Sequence, residues 1–487
     1  MPRYAYDRLT ALDNSFLLLE KPTSYMHVAS TQIHKTGPLR TEGGGIDAAR
    51  FRKMIASVLH RIPRYRQKLA WIPFENHPVW VDDENFSIDY HLRHTALPRP
   101  GTEEQLKRLS ARIMQQHLDR SRPLWEMWLV EGLEGDRFAV ISKTHHCMID
   151  GASGVDLMRV VMSADPDEHI AEEPTWVPRP SPSPLELMGH EALRRARLTF
   201  EILRGATSAL RTAESVRFDV MTRIRALAEA MGGSLRLPSE TPFNRVIGPH
   251  RRFDWMTMEL ADIKKLRKAL GGSLNDIVLT IVTGAVRSFL RARHVNPDPL
   301  DFRVMAPVSV RAENERGTLG NRVSAWIVPL PIGQADRRVQ LERITERTNW
   351  LKESKSAVGA EVLTQAAEYT PSTLLALGAR NMTRLLPFNL VVTNVPGPQQ
   401  PMYTLGAEML ECFPHVPLTD RLGLGIALMS YNGKLCWGFN ADYDLVPDLR
   451  EFVVAIESSF AELMVLATAR PTLVVSNERE SAHKSAG

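Results

Sequence analysis

The chain has 487 residues, of which 44% are hydrophobic and 24% are charged. This length is too great for one compact core and indicates about two or three domains. The formal net charge of +4 is small for this length, and no lysine and arginine block interleaved with aromatic residues occurs. Nucleic-acid binding is therefore excluded as the main function.

Cysteine usage and hydropathy bear on the compartment. Cys147, Cys412 and Cys436 form no CxxC pair, so we expect neither a disulfide framework nor a thiolate zinc site. The N-terminal segment mixes charged residues into its only apolar run, unlike a signal peptide. The longest apolar run, at residues 277–286, is far shorter than the roughly 18 residues that a membrane span needs. We expect a cytoplasmic protein that touches a membrane only from outside.

Strands and helices alternate in the first part of the chain. Alternation of apolar residues predicts strands at residues 26–33 and 137–146. Apolar residues at every third or fourth position predict a helix over residues 46–62, and another helix is predicted over residues 152–162. The sequence HHCMIDG at residues 145–151 therefore lies where a strand turns into a helix.

A linker separates the two parts of the chain. Residues 165–184 are rich in proline and acids, and the arginine-rich residues 185–231 read as helical. This stretch is either a solvated connecting helix pair or a basic face for anionic lipid or an anionic cofactor.

Helices and strands are also mixed in the second part. Helices are predicted at residues 262–270, 274–293, 340–355 and 446–466, and strands at 302–310, 322–331, 388–395, 422–431 and 434–442. Asn432-Gly433 is a strong hairpin signal between the last two strands. We predict the α/β class, with a first domain at residues 1–180, a helical linker at 181–240, a second domain at 241–470 and a disordered tail at 471–487. A site between the two domains is the expectation.

The segment HHCMIDG combines two imidazoles, a thiol and a carboxylate. Neighbouring residues on a strand point to opposite faces, which disfavours one metal ion bound by both His145 and His146. The same alternation turns Cys147 away from His146 and favours a small buried thiol over a nucleophile. His146 suits a general base, since an imidazole of ordinary pKa, about 6.5, accepts the proton of an attacking hydroxyl or thiol. From spacing alone, a histidine that only satisfies hydrogen bonds in the core is equally compatible.

Asp150 and Gly151 close the segment. Asp150 either orients an imidazole, pairs with a distant arginine, or caps the following helix. We favour capping and loop locking over direct catalysis. Gly151 permits a backbone angle or a close approach that a side chain would prevent.

The segment resembles the HHxxxDG signature of CoA-dependent acyltransferases, which include chloramphenicol acetyltransferases, carnitine acyltransferases and the condensation domains of peptide synthetases. More closely, the chain resembles the bacterial wax ester synthase/diacylglycerol acyltransferase family over nearly its full length. The matching segments, in order, are LTALDNSFLLLE and YMHVAS near the start, RPLWEMWLVEGLEG at 122–135, SLNDIVL at 273–279, APVSVR at 306–311 and NVPGP at 394–398.

The resemblance implies two chloramphenicol-acetyltransferase-like α/β domains joined by a helical linker, with an active-site tunnel at their interface. It implies that His146 is the catalytic base and that His145 has a less direct role. It also implies that Asp150 is a structural aspartate, for which Arg311 is a suitable partner.

Asn275 and Asp276 match a further family motif, which implies that they shape the site. Asn275 is also a candidate N-cap for the long helix that follows. Leu124 and Trp125 of the PLW motif are expected in the core rather than in contact with substrate.

The resemblance implies acyl-CoA as a substrate, and neither a cofactor nor a metal. The implied acceptor is a lipid alcohol, with diacylglycerol first and a fatty alcohol second. The alternatives are another hydroxyl acceptor, namely a sterol, a glycolipid or a polyketide, or a catalytically dead lipid-binding homologue. We also expect peripheral attachment to a membrane or lipid droplet through the basic helical linker.

Overall fold

The computed structural model describes residues 6–75, 77–148, 153–167, 170–209, 237–309, 323–353 and 386–468. Asp150, Gly151 and Arg311 lie outside these ranges, as do residues 210–236 of the arginine-rich stretch and the predicted tail. What the sequence predicts for them stays a prediction.

The first half of the chain contributes two sheets. Its strands are β1 (Tyr6–Arg8), β2 (His27–Lys35), β3 (Gln67–Ile72), β4 (His77–Asp82), β5 (Leu92–Ala96), β6 (Trp125–Leu133) and β7 (Arg137–His145). Its helices are α1 (Ala11–Leu19), α2 (Ala48–Val58), α3 (Ile88–His91), α4 (Glu103–Met114), α5 (Ser153–Val161) and, after the linker, α6 (Pro184–Ala209). β2, β7, β6 and β5 lie side by side in a large sheet, and β1, β4 and β3 form a small separate one.

The second half is built on a six-stranded sheet. The strands of the second half are β8 (Arg251–Glu259), β9 (Phe302–Ser309), β10 (Val323–Leu330), β11 (Leu390–Pro396), β12 (Tyr403–Thr404), β13 (Ala407–His415), β14 (Leu424–Tyr431) and β15 (Lys434–Asp442), of which β12 and β13 lie outside this sheet. Its helices are α7 (Leu260–Leu270), α8 (Leu274–Ala292), α9 (Arg337–Glu353) and α10 (Leu449–Thr468). The sheet order is β10-β9-β11-β14-β15-β8, with β11 parallel to both of its neighbours. Both halves are therefore α/β, which confirms the predicted fold class.

One strand of the second half belongs to the sheet of the first. β13 pairs antiparallel with β2, in a register that runs from Met409 opposite His34 to His415 opposite Ala29. β12 lies beyond β13, so the order of the large first-half sheet is β12-β13-β2-β7-β6-β5. The two halves thus share a continuous hydrogen-bonded sheet.

The core of the second half surrounds α8. Ile277, Ile281 and Val286 of this helix are fully buried against the sheet and the neighbouring helices. Within the described ranges, no single helix is long and apolar enough to cross a membrane. α7 and α8 pass that test of length and composition only as a pair, and they are bent by 95° at the break between them.

Most predicted elements are present. β2, β7, α2 and α8 match the strands and helices predicted from apolar spacing. β8 was not predicted, because two of its buried positions carry charges that interrupt the apolar pattern. Arg251 lies 3.6 Å from Asp442, and Asp254 pairs with Lys107 of α4. These ion pairs allow the charged side chains to be buried.

Candidate active site

The HHCMIDG segment begins at the end of β7. β7 ends at His145, and a 3-10 turn follows over His146–Met148. The N–H of His146 donates to the carbonyl of Met26, just before β2, at 2.8 Å. α5 begins at Ser153, so the predicted transition from strand to helix is confirmed. His146 itself lies in the turn, where the alternation of strand side chains no longer applies.

The ring of His146 lies against α1. It stacks on Phe16, with 3.8 Å between ring centroids and 17° between ring planes. The pKa of His146 is lowered to about 4, chiefly by burial; the residue's own backbone carbonyl opposes this shift and the nearby His145 adds to it. Nδ1 is buried without a well-formed hydrogen bond to any part of the chain that the structure describes. The ring is therefore neutral near pH 7 and able to accept a proton.

His145 has a different environment. Its side chain is fully buried, its Nδ1 accepts the N–H of Cys147 at 3.2 Å, and its Nε2 lies 3.7 Å from a carboxylate oxygen of Glu20. Because Nδ1 acts as an acceptor, the proton of the neutral ring is on Nε2. Burial lowers the pKa of His145, and Glu20 partly opposes that shift. Nδ1 is occupied by the Cys147 N–H and Nε2 faces the Glu20 carboxylate, which fits the less direct role implied by the resemblance.

Glu20, at the end of α1, is surrounded by basic groups from three other segments. Its carboxylate lies 3.3 Å from Nε2 of His27 on β2, 3.4 Å from Nδ1 of His117 and 2.6 Å from the guanidinium of Arg120. Burial acts to raise the pKa of Glu20, but His145 and His27 beside the carboxylate outweigh it and hold the pKa well below the usual range. His27 stands directly opposite His145 across the β2–β7 pair.

Sequence reasoning missed Glu20 and Phe16 as parts of the site. Both lie in the LTALDNSFLLLE segment, which matched the family's opening but carried no chemical pattern of its own. The only sequence signal for Glu20 was its position as a carboxylate directly after an apolar helix. The fold brings this carboxylate close to the histidines.

Cys147 is not a nucleophile in this arrangement. Its side chain packs with Leu17, Leu69 and Trp80 in a buried apolar cluster. Burial raises the pKa of the Cys147 thiol well above its ordinary value, so the reactive thiolate does not form near pH 7. The prediction of a small buried thiol is confirmed.

Asp276 and Ser273 form a capping box at the start of α8. The Ser273 N–H donates to Asp276 Oδ2 at 2.7 Å, and the Asp276 N–H donates to Ser273 Oγ at 3.2 Å. The other oxygen of Asp276 accepts from the Thr348 hydroxyl of α9 at 2.8 Å. The N-cap is therefore Ser273, and the suggestion that Asn275 caps this helix was wrong, because Asn275 lies one residue inside its first turn.

Asn275 instead links two of the matched motifs. Its side-chain oxygen accepts from the Asn394 amide at 2.8 Å, which joins the start of α8 to the NVPGP segment at the end of β11. Within the described ranges, no hydrogen bond or ion pair joins this pair to His145 or His146. The predicted site residues that the structure describes therefore form two groups, one in each half.

Contacts between the halves converge on the segment that follows Glu20. The Lys21 ammonium lies 3.0 Å from Asp420, and the Tyr25 hydroxyl donates to the Pro249 carbonyl at 2.9 Å. The Arg251 guanidinium lies 5.2 Å from the centre of the Tyr25 ring. The segment between α1 and β2 therefore touches the histidine cluster at one end and the second half along its length.

A cavity of 630 Å³ is lined by residues of both halves. Arg61, Arg159 and Met162 line it from the first half, and Pro398 and Gln399 from the second. Pro398 ends the NVPGP motif, and Arg159 and the neighbouring Met162 lie at the end of the helix that follows HHCMIDG. The tunnel implied by the resemblance stays a prediction. Within the described ranges, no group of three or more histidine, cysteine or acidic side chains is arranged to hold a metal ion.

Comparison with known families decides the classification. The model of the wax ester synthase/diacylglycerol acyltransferase catalytic domain matches residues 9–278, and the model of the C-terminal domain of the same family matches residues 319–464. The chain belongs to the wax ester synthase/diacylglycerol acyltransferase family. A Mycobacterium tuberculosis protein named as a diacylglycerol O-acyltransferase is 32% identical over 483 residues, covering 96% of this chain and 92% of that protein. A second one from the same organism is 29% identical over 468 residues, covering 95% and 97%.

Solved structures show the same fold. The wax ester synthase/diacylglycerol acyltransferase from Marinobacter aquaeolei VT8 has a TM-score of 0.66 and 24% identity, over 95% of this chain and all (100%) of that one. The first condensation domain of the calcium-dependent antibiotic synthetase has a TM-score of 0.58 and 16% identity, over 95% and 96%. The two-domain architecture expected for a wax ester synthase/diacylglycerol acyltransferase family member is therefore confirmed.

Proposed function

We propose that this protein is an O-acyltransferase that moves a long-chain acyl group from acyl-CoA to diacylglycerol to form triacylglycerol. Fatty alcohols are the second acceptor class and give wax esters. Membership of the family and the names of the relatives support this activity. The observation that carries the proposal is the neutral ring of His146, held against Phe16 at the end of β7.

The chemistry requires one base and two bound substrates. His146 takes the proton of the acceptor hydroxyl as its oxygen attacks the thioester carbonyl. When the tetrahedral intermediate collapses, the carbon–sulfur bond breaks and the imidazolium returns the proton to the CoA thiolate. Protons balance over the cycle, so the reaction needs no covalent enzyme intermediate and no cofactor beyond the acyl-CoA substrate. Binding both substrates together supplies the larger share of the rate.

The cavity lined by both halves is suited to the polar part of acyl-CoA. Arg61 and Arg159 provide positive charge on its wall, and guanidinium groups bind phosphates well. Arg159 lies near the end of α5, whose nine residues span about 13 Å from the HHxxxDG segment. An extended pantetheine arm is long enough to cover that distance.

We also propose that the protein works in the cytoplasm, attached peripherally to a membrane or lipid droplet. The arginines of α6 contribute little positive charge for binding anionic lipid, because Arg194 and Arg195 both pair with Glu191. The turn between β3 and β4 supports attachment to lipid more strongly, because Phe74 at its tip is 95% exposed and Trp71 beside it is 38% exposed. Exposed aromatic side chains of this kind insert readily at a lipid interface.

The acceptor is tested by competition. Purified protein is given labelled long-chain acyl-CoA with diacylglycerol and hexadecanol together, and the extracted lipids are separated while CoA release is followed by thiol titration. We expect labelled triacylglycerol as the main product and wax ester as the second. Label in neither product, together with CoA release when a sterol, glycolipid or polyketide alcohol is offered instead, would move the protein to another acceptor class.

A catalytically dead homologue would bind lipid without releasing CoA above the level of a His146→Ala control. That result would reject the transferase activity itself.

A further inference from the structure

Glu20 is a buried carboxylate that the proposed chemistry does not use directly. Its side chain is only 5% exposed, and groups from three other segments face it: His27 from β2, His145 from β7, and His117 and Arg120 from the segment after α4. Arg120 supplies a full positive charge, whereas burial keeps His27 and His145 neutral by lowering the pKa of each. A neutral imidazole needs a defined tautomer, and the acceptor placed beside it decides which one forms.

The carboxylate acts on His145 through the Nε2 proton. The Glu20 carboxylate lies 3.7 Å from Nε2, beyond hydrogen-bond distance, and its negative charge favours the tautomer with the proton on that side and a bare Nδ1. The bare Nδ1 accepts the N–H of Cys147 at 3.2 Å, which closes the turn around His146. A ring protonated on Nδ1 instead would direct a proton at the Cys147 N–H and open that turn.

A second connection reaches the other side of the His146 ring. Arg120, held by Glu20 at 2.6 Å, also donates to the carbonyl of Leu17 at 3.0 Å. Leu17 follows Phe16, the ring on which His146 stacks. The same carboxylate therefore holds both the turn that carries the base and the helix against which the base lies.

We propose that Glu20 is the positioning residue of this active site: it fixes the Nε2–H tautomer of His145 and, through Cys147 and Arg120, the orientation of the His146 ring. The inference rests on the proposed acyl transfer, since it assigns Glu20 a part in that reaction. It places no substrate on Glu20, which lies behind His145.

The test compares Glu20→Ala and Glu20→Gln with a matched control. Asp82→Asn changes a carboxylate that is similarly buried, 7% against 5% exposed, and that binds Arg179 without facing a histidine. We expect Glu20→Ala to lower kcat roughly 100-fold, because a displaced base loses its contribution to proton transfer. The KM for acyl-CoA is expected to stay within about twofold, since ground-state binding is untouched. Glu20→Gln should keep most of the kcat because its amide oxygen still presents partial negative charge to Nε2, and Asp82→Asn should match the wild type.

Nitrogen NMR of histidine-labelled protein gives a readout that needs no substrate. The wild-type His145 should show a bare Nδ1 and a protonated Nε2, with the signal assigned from a His145→Asn spectrum, and Glu20→Ala should convert it to a mixture of tautomers. A wild-type ring protonated on Nδ1 would overturn the proposal even where Glu20→Ala does not fold. Equal losses of kcat in Glu20→Gln and Glu20→Ala, or an unchanged kcat in Glu20→Ala, would also overturn it. A wild-type protein that shows no acyl transfer would refute the proposed function. The tautomer measurement would still test the role of Glu20 in this turn.

Discussion

The His146 ring is both desolvated and stacked on an aromatic ring, and the two effects serve a base in different ways. Burial lowers its pKa to about 4, which keeps the nitrogen unprotonated over the physiological range. Stacking on Phe16 limits rotation of the ring, which matters because proton transfer requires a defined direction. The lowered pKa makes the ring a weaker base than an exposed imidazole, so orientation has to carry much of its effect.

We expect His146→Ala to lower the rate of CoA release roughly 10²–10⁴-fold while the folded structure persists. In the wild type, the rate should be independent of pH from about 8 down to 5, and it should fall as the pH approaches 4 because the ring then becomes protonated. Thiol release across this range, with circular dichroism of both proteins, measures the two effects. A folded His146→Ala protein that turns over at the normal rate would remove the base from the mechanism.

Acid unfolding has to be separated from protonation of the base. Burial lowers the pKa of His27 to about 4, whereas in the unfolded chain a histidine titrates near 6.5. Its contribution to stability is therefore complete above about pH 6.5 and is lost as the pH falls toward 4, because the unfolded state binds the proton first. Incubation at low pH followed by assay at neutral pH distinguishes reversible protonation of His146 from loss of the fold.

At the scale of elements, β13 and β15 make a close backbone contact that joins the two halves. β13 runs in the sheet of the first half while its backbone crosses close over β15 of the second. Gly438 on β15 leaves the space for this, since a Cβ there would collide with the carbonyl oxygen of Pro414 on β13. The backbone of β13 cannot move away without losing its pairing with β2.

Gly438→Ala is therefore expected to lower the free energy of unfolding by about 1–3 kcal/mol, the usual cost of overpacking a close contact. Urea unfolding followed by fluorescence measures the shift of the midpoint. Gly189→Ala is the control, because Gly189 is an exposed position in α6 with no atom within 4 Å of the added methyl. It should raise the stability by about 0.5–1 kcal/mol, as alanine does in a helix. A destabilised control, or a Gly438→Ala protein as stable as the wild type, contradicts this account of the contact.

The elements also show where sequence patterns are reliable. β2, β7 and α8 were predicted because the burial of each element gives its sequence a regular apolar pattern. Asn275 was a candidate N-cap of α8, but Ser273 and Asp276 have the spacing of a capping box and form it. The partner of β13 was not predictable, because strand pairing between distant segments depends on packing that no local pattern records.

At the scale of the whole molecule, the surface turn between β3 and β4 bears on attachment to lipid. Phe74 has a φ of 65° at the tip of this turn, and no other large hydrophobic side chain of the described residues is as exposed. The small β1-β4-β3 sheet holds the turn away from the core, with Leu187 of α6 packed on Val79 and Val81 behind it. Such a tip can enter a lipid surface without rearrangement of the fold.

We expect the wild type to sediment with vesicles containing phosphatidylglycerol at low salt, and Phe74→Asn to bind about tenfold more weakly, since burial of a phenylalanine ring is lost. Asparagine tolerates the positive φ, so the turn is kept. Val465→Asn on α10 is the control, because that side chain is also well exposed, at 70%, but lies in the second half. Failure of the wild type to sediment, or equal loss in both variants, would count against attachment through this turn.

The sequence by itself determined the family and the α/β class, because these depend on local apolar spacing and on motifs of a few consecutive residues, and it predicts His146 as the base. His145, His146 and Asp276 were predicted from such motifs, and the resemblance, rather than the spacing, assigns the role of base to His146. The tertiary structure alone decided that Glu20 faces His145, that Phe16 covers His146, and that β13 completes the sheet of the first half. These contacts join segments that are distant in the chain, and their energies come from burial and from hydrogen bonds that exist only once the chain is folded.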